Sequence, residues 1–215
     1  MPMRTRLGAT VLGAAAAATA ATVACLTAAP ALAGLAARTW TVTPGGTVTG
    51  TAGTTLLRDS NTGTTLTCTS SQATGTISSG SGLANPLGSI GSLSFSNCTG
   101  PLGISFSASV SGPFPLNATS YNATKGVTTG SITNIHGSIS GPLCSASVDG
   151  TAAGANNGMV KAHYKNHTGK LTVLTSGGNL HIYNVSGCFG LINSGDAATF
   201  SGAYSLSPKQ TITSP

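Results

Sequence analysis

The stretch MVKAHYKNHTGKLTVL, residues 159–174, is the clearest indication of the fold class of this chain. Its first half alternates between an apolar face and a charged face, Val160, Ala162 and Tyr164 against Lys161, His163 and Lys165. A period of two indicates a half-buried strand, because successive side chains of a strand point to opposite sides of the sheet. The Asn-His-Thr-Gly segment 166–169 turns the chain, and alternation resumes after it. We therefore predict a β-hairpin with one basic face.

The same alternation recurs along most of the chain after residue 39. Examples are TTLTCT (64–69), GISFSASV (103–110) and NLHIYNV (179–185). Turn signals rich in Gly, Asn and Pro separate such stretches, for example Pro-Gly-Gly at 44–46. Helical periodicity is nearly absent. The pattern predicts an all-β fold, an antiparallel β-sandwich or barrel.

The first 33 residues have the pattern of a secretory signal peptide. Arg4 and Arg6 precede a small-residue-rich apolar run, and Ala31-Leu32-Ala33 forms an A-x-A cleavage site. We predict a signal peptide over 1–33 and an exported β-domain over 34–215, secreted or associated with the cell wall. No later apolar run is long enough to span a bilayer as a helix, so we expect no transmembrane helix in the mature chain.

Cys25 lies within this leader, where Thr22-Val23-Ala24-Cys25 loosely matches a lipobox. A lipoprotein would be acylated at that cysteine and would stay on the membrane. The position three residues before Cys25 holds Thr22 rather than a bulky aliphatic residue, and a clean A-x-A site follows. We therefore expect cleavage after residue 33 and no lipidation.

Four cysteines remain after the leader: Cys68, Cys98, Cys144 and Cys188. An even number in an exported chain predicts two disulfides, with three possible connectivities. No two of these cysteines are close in sequence, and no His lies at zinc-finger spacing from one, so we expect no metal site. The chain has no cofactor motif either.

Two stretches of the chain are near-echoes, SFSNCTGPLG (94–103) and IYNVSGCFGLI (182–192). Each places a cysteine beside Asn and Gly after an alternating run. Together with the order of the other landmarks, the echo predicts two duplicated units, pseudo-repeats over about 39–113 and 114–207. One disulfide per unit then favours Cys68–Cys98 and Cys144–Cys188.

Residues that could support catalysis are scarce. The exported part has only three carboxylates, Asp59, Asp149 and Asp196, and each fits a turn where Asp bonds the local backbone. His163 and His167 stand four residues apart, but on a strand this separates the side chains by roughly 13 Å. We interpret these two, with His136 and His181, as surface residues. No G-x-S-x-G elbow occurs, and we expect no enzyme activity.

Charge points to one candidate binding surface. Lys161, His163, Lys165 and Lys170 share the basic face of the predicted hairpin, which would suit an anionic cell-wall polymer or lipid headgroups of the envelope surface. The alternative is a solvated face whose lysines protect a sheet edge. The other cations are scattered, so we do not expect a nucleic-acid partner.

The Ala-rich leader ending in APALA (29–33) and the segments NLHIYNVSGCFGLINSGD (179–196) and LSPKQTITSP (206–215) resemble uncharacterised secreted proteins of high-GC actinobacteria. The resemblance covers most of the chain, including the four-cysteine spacing. It implies an exported all-β fold with two disulfides, and it implies no activity.

These observations favour an exported non-enzymatic β-protein that acts at or near the cell surface, by binding or as a structural component. One alternative is a β-assembly of the envelope, a pore or a fibre-forming layer, although aromatic residues are few for a lipid-facing barrel. Another is a hydrolase with an unrecognised site.

Overall fold

The computed structural model describes residues 38–215, and within this range the chain forms β-strands and two short 3-10 turns but no α-helix. The all-β prediction is confirmed. The signal-peptide prediction for 1–33, including Cys25, falls on residues outside the described range. The strands are β1 Trp40–Thr43, β2 Gly46–Ala52, β3 Thr55–Asp59, β4 Thr65–Ile77, β5 Gly80–Leu83, β6 Gly88–Thr99, β7 Ser105–Val110, β8 Phe114–Asn122, β9 Val127–Ile135, β10 Gly137–Gly141, β11 Cys144–Asp149, β12 Gly158–Lys165, β13 Lys170–Val173, β14 His181–Gly187, β15 Ala198–Ser207 and β16 Thr211–Thr213.

Eight antiparallel strands close into a barrel. They follow the order β6-β8-β9-β12-β13-β15-β2-β4, and β4 pairs back with β6 to complete the ring. Closure removes the free edges that an open sheet would expose to other chains. An eight-stranded barrel has an interior just wide enough to be filled by side chains or to hold one small ligand.

Three long strands continue past this barrel into a second ring. The first half of β15 and the first half of β4 both pair with β3, and the end of β6 pairs with β7. The order β7-β10-β11-β14 carries the sheet onward. Hydrogen bonds from Ile182 to Asp196 and from Ala198 to Leu180 join β14 to β15. Two rings therefore share β4, β6 and β15, and their interiors are continuous.

The apolar core has two parts. The larger runs through both rings and includes Phe114, Ile182 and Tyr204. The smaller lies under the separate three-stranded sheet β16-β1-β5, and it buries Trp40, the single tryptophan of the chain. Trp40 is thus a core residue.

The two disulfides are the predicted ones, Cys68–Cys98 and Cys144–Cys188. Cys68 and Cys98 are direct partners on β4 and β6, and Cys144 lies opposite Gly187, next to Cys188. The duplication itself stays a prediction. Strands from both pseudo-repeats enter the one barrel, since β15 pairs with β2 and β3, and residues 38–215 form one compact unit.

Candidate functional site

An apolar cavity of about 130 Å³ lies inside the joined rings. Its walls come from both, with Leu116, Ile132 and Val173 on the barrel side and Leu66, Phe95 and Phe200 on the other. Alternation explains this lining. Every second residue of a strand points inward, and most of the inward residues are Val, Ile, Leu, Phe or Ala. The cavity exists because these side chains do not fill the space where the two rings merge.

Few polar side chains face this cavity. The Tyr204 hydroxyl is hydrogen-bonded to Ser71 Oγ at 2.9 Å, and burial raises the pKa of Tyr204 although the bond to Ser71 opposes the rise. Tyr204 is therefore neutral at physiological pH. Thr55 also lines the cavity, is almost fully buried, and has a hydroxyl without a hydrogen-bond partner among the described residues. An unpaired buried hydroxyl is costly, so Thr55 is a ready partner for one polar atom of a ligand.

The wall of the cavity has a gap beside β6. Within the described chain, β6 pairs with β8 only over Gly88–Ile90 and with β7 only over Cys98–Thr99. The two neighbouring strands diverge between these points and leave one edge of the middle of β6 without a strand. Leu93, a cavity residue on this stretch, is accordingly only half-buried.

The predicted basic hairpin is formed by β12 and β13, with the turn at 166–169. Val160, Ala162 and Tyr164 are buried, so the alternation predicted from sequence is correct. Lys161, His163 and Lys165 therefore follow one another on the outer face of β12, and Lys170 on β13 is the direct partner of Lys165. All four predicted patch residues thus lie on one outer surface. Its ligand stays a prediction.

The three aspartates occupy the turns expected of them. Asp59 Oδ1 accepts the backbone N–H groups of Asn61 and Thr62, and Asp196 Oδ2 accepts that of Asn193. Asp149 Oδ1 accepts the N–H groups of Gly150 and Asn157.

Sequence reasoning missed one pair, His136 and Asp149. Their Nδ1 and Oδ2 atoms lie 3.0 Å apart, with Asp149 fully buried and His136 partly exposed. His136 is thus partly exposed, as a surface residue would be, and it also contacts a buried carboxylate that the sequence did not point to. The register of β10 and β11 causes the contact, because Gly137 pairs with Val148 and the residues just beyond them face each other. The Pro-Leu turn at 142–143 was the available signal, since it sets that register.

The hydrogen bonds around Asp149 determine its charge state. Burial alone would raise the pKa of its carboxyl, but bonds from the Gly150 N–H, from His136 and from the backbone of Asn156 and Asn157 outweigh burial and lower it. Asp149 is therefore ionised over the whole physiological range, and its bonds hold the β10–β11 hairpin to the loop before β12.

Over 38–215, no three His, Cys, Asp or Glu side chains gather as a set of metal ligands. Within the same range, no helix has the length and apolarity needed to cross a membrane.

Comparisons with known proteins place the chain in no family: no family model matches it, and no curated protein or solved structure is significantly similar to it.

Proposed function

We propose that the protein is an exported, non-enzymatic binding protein that acts at or near the cell surface and holds one small apolar ligand inside its barrel. The cavity of about 130 Å³ is the observation that carries the proposal. Cores are normally packed to the density of organic crystals, with few voids larger than a water molecule. A void of this size, lined by aliphatic and aromatic side chains, is of the kind that excludes water and admits an apolar molecule.

The size and lining of the cavity define the class of ligand. An engineered cavity of about 150 Å³ in another protein binds benzene, so a single aromatic ring or a short branched hydrocarbon matches the space here. The unpaired hydroxyl of Thr55 would favour a ligand with one polar atom, such as a phenol, over a pure hydrocarbon. Charged ligands are disfavoured, because no charged residue lines the cavity.

Thermal unfolding in the presence of benzene and of phenol tests this proposal. A ligand at ten times its Kd stabilises the folded state by about 1.4 kcal/mol, which corresponds to a rise in Tm of about 3 to 5 °C for a chain of this length. We expect both compounds to raise Tm and phenol to bind more tightly. Thr55→Val should remove the preference for phenol and keep benzene binding. If neither compound changes Tm or perturbs the methyl NMR signals of cavity residues, the cavity is not a binding site.

The non-enzymatic part of the proposal has its own test. His136 and Asp149 form a contact of the His–Asp kind that occurs in some catalytic sites. A panel of ester, glycoside and peptide substrates should give no turnover. Turnover that disappears in His136→Gln would show a hydrolase and overturn this part.

A second candidate function is the binding of an anionic cell-wall polymer at the basic face. Lys165 and Lys170 are direct cross-strand partners, an arrangement of like charges that destabilises a sheet and so suggests a role other than stability. Co-sedimentation with isolated cell walls at low salt tests it. Lys165→Ser with Lys170→Ser should abolish co-sedimentation, whereas Lys125→Ser, at an exposed lysine of the β8–β9 turn, should not.

A further inference from the structure

Three loops of the molecule each expose one large apolar side chain at their tip. Leu102 is 98% exposed, Phe189 80% and Leu143 68%. The local sequences are alike, Gly-Pro-Leu at 100–102, Gly-Pro-Leu at 141–143 and Gly-Cys-Phe at 187–189. Single exposed apolar residues are common on soluble proteins. Chance exposure does not explain why the same Gly-Pro-Leu tripeptide carries the exposed leucine in two loops.

These loops lie together at one end of the second ring. The ring of Phe106 packs against Gly100 in the first loop and Gly141 in the second, where an added Cβ would approach it to 2.7 and 2.6 Å. The second and third loops are joined by the Cys144–Cys188 disulfide. A hydrogen bond of 3.0 Å from the Cys188 N–H to the Leu143 carbonyl adds to this link. We call the side chains of Leu102, Leu143 and Phe189 the apolar tip.

The backbone of two of these loops adopts a conformation that turns the side chain outward. Leu102 has φ 58° and Phe189 has φ 48°, both in the left-handed region, which bulky residues rarely occupy. A glycine follows each of them. Conformations of this kind persist where the surrounding structure imposes them, and they concentrate at functional sites. The same left-handed conformation therefore occurs in two loops that are far apart in the sequence.

The loops of the apolar tip can also move from water into an apolar medium at low cost. Its loops bond their own backbone groups: the Gly103 N–H donates to the Gly100 carbonyl, and the Leu191 N–H donates to the Cys188 carbonyl at 2.9 Å. No Lys, Arg, Asp or Glu occurs in the segments 97–106, 139–148 and 183–193. Transfer of the tip into an apolar medium therefore buries no charge and leaves few backbone groups unpaired.

We propose that the apolar tip docks the protein on a lipid bilayer. Three side chains on separate loop tips penetrate a deformable bilayer more readily than they match a rigid protein surface, which requires a continuous complementary face. Most of the cations lie away from the tip: Lys170 is the partner of Ser205 near the end of β15, whereas β14, which leads to Phe189, joins β15 at its start. Docking therefore depends on the apolar side chains, which insert at the boundary between headgroups and acyl chains.

Vesicle flotation tests the docking. The purified, disulfide-bonded protein is mixed with vesicles of phosphatidylcholine and phosphatidylglycerol in equal amounts, and the bound fraction is measured. The triple variant Leu102→Ser, Leu143→Ser, Phe189→Ser should bind at least tenfold more weakly. Leu56→Ser is the matched control, because Leu56 is 37% exposed on β3 and lies outside the tip; it should bind as the unsubstituted protein does. Equal Tm values would show that all variants fold.

Fluorescence gives a second readout. Trp40 is buried in the smaller core, so in Phe189→Trp a change of emission on adding vesicles, relative to the unsubstituted protein, reports on the tip. Its emission should shift to shorter wavelength when vesicles are added. Unchanged emission, or flotation that survives in the triple variant and is lost in Lys165→Ser with Lys170→Ser, would overturn the proposal. So would concentration-dependent dimers that the triple variant abolishes, because the tip would then bind a second copy of the chain.

Discussion

Filling the internal cavity is the most direct perturbation of this molecule. Ala73 on β4 lines the cavity and lies between its cross-strand partners Gly50 on β2 and Leu93 on β6. Ala73→Leu adds three carbon atoms that point into the empty space. We expect this variant to be more stable than the parent protein and to bind apolar ligands more weakly.

The magnitude follows from the volume of the cavity. An empty cavity costs about 24 cal/mol per Å³ of stability, so the 130 Å³ here correspond to about 3 kcal/mol. Three buried carbon atoms at about 0.8 kcal/mol each recover at most about 2.4 kcal/mol. Imperfect fit and lost side-chain freedom reduce this value, and we expect a gain of about 1 to 2 kcal/mol.

Urea unfolding and benzene titration measure the two effects. The midpoint of unfolding should rise in Ala73→Leu with no change in the m-value, and the Kd for benzene should rise at least tenfold. Ala203→Leu is the matched control, because Ala203 is exposed on β15 and adds the same atoms outside the barrel. Its stability should stay within about 0.5 kcal/mol of the parent protein, with unchanged benzene affinity.

Two results would contradict these expectations for the cavity. Benzene affinity that is the same in Ala73→Leu and in the parent protein would mean that benzene does not occupy the cavity. A loss of stability larger than about 1 kcal/mol, with the control unaffected, would mean that the space beside Ala73 is already filled.

Three other perturbations have defined outcomes. Asp149→Asn should lower stability at pH 7 by about 2 kcal/mol, because the bonds to the carboxylate are charge-assisted. The pKa of Asp149 is lowered in the folded state, so its contribution is complete above the ordinary value of 3.8 and is lost as the pH falls through the folded value; a stability difference between the two proteins that does not narrow as the pH falls below 3.8 would contradict this. Replacing Cys144 and Cys188 by Ser removes a disulfide between residues separated by 44 positions and should lower stability by about 4 kcal/mol, as measured by urea unfolding. A loss below about 1 kcal/mol would mean that the loops hold the strands without the disulfide. Lys165→Ser should raise stability by about 0.2 to 0.5 kcal/mol at low salt by relieving repulsion from Lys170, and an equal gain at 1 M salt would exclude an electrostatic cause.

Much of the local structure was predictable because it depends on residues close in sequence. Alternation identified the inward residues of β12, and Gly169 marked its turn. The disulfide pairing was also predicted correctly, although from a repeat that the fold does not by itself establish. The aspartates were assigned to turns because a short Asp side chain readily bonds backbone groups that are close to it in sequence.

The site was less predictable because it depends on distant pairings. The contact of His136 with Asp149 follows from the register of β10 on β11, and the gap beside β6 follows from the divergence of β7 and β8. The volume of a cavity is the volume that the strands enclose minus the volume of the inward side chains. It depends on all the strands together, so it cannot be predicted from any one segment of the sequence.

A strand's period of two and the backbone preferences of Gly, Asn and Pro are local properties, so the antiparallel strands, the buried face of β12 and the turns were readable from the sequence. Three features depend on the tertiary structure: two rings share β4, β6 and β15, an apolar cavity lies where the rings merge, and Leu102, Leu143 and Phe189 lie at one end. Strand partners and register are set by the packing of residues far apart in the chain, which the alternation of each strand leaves open.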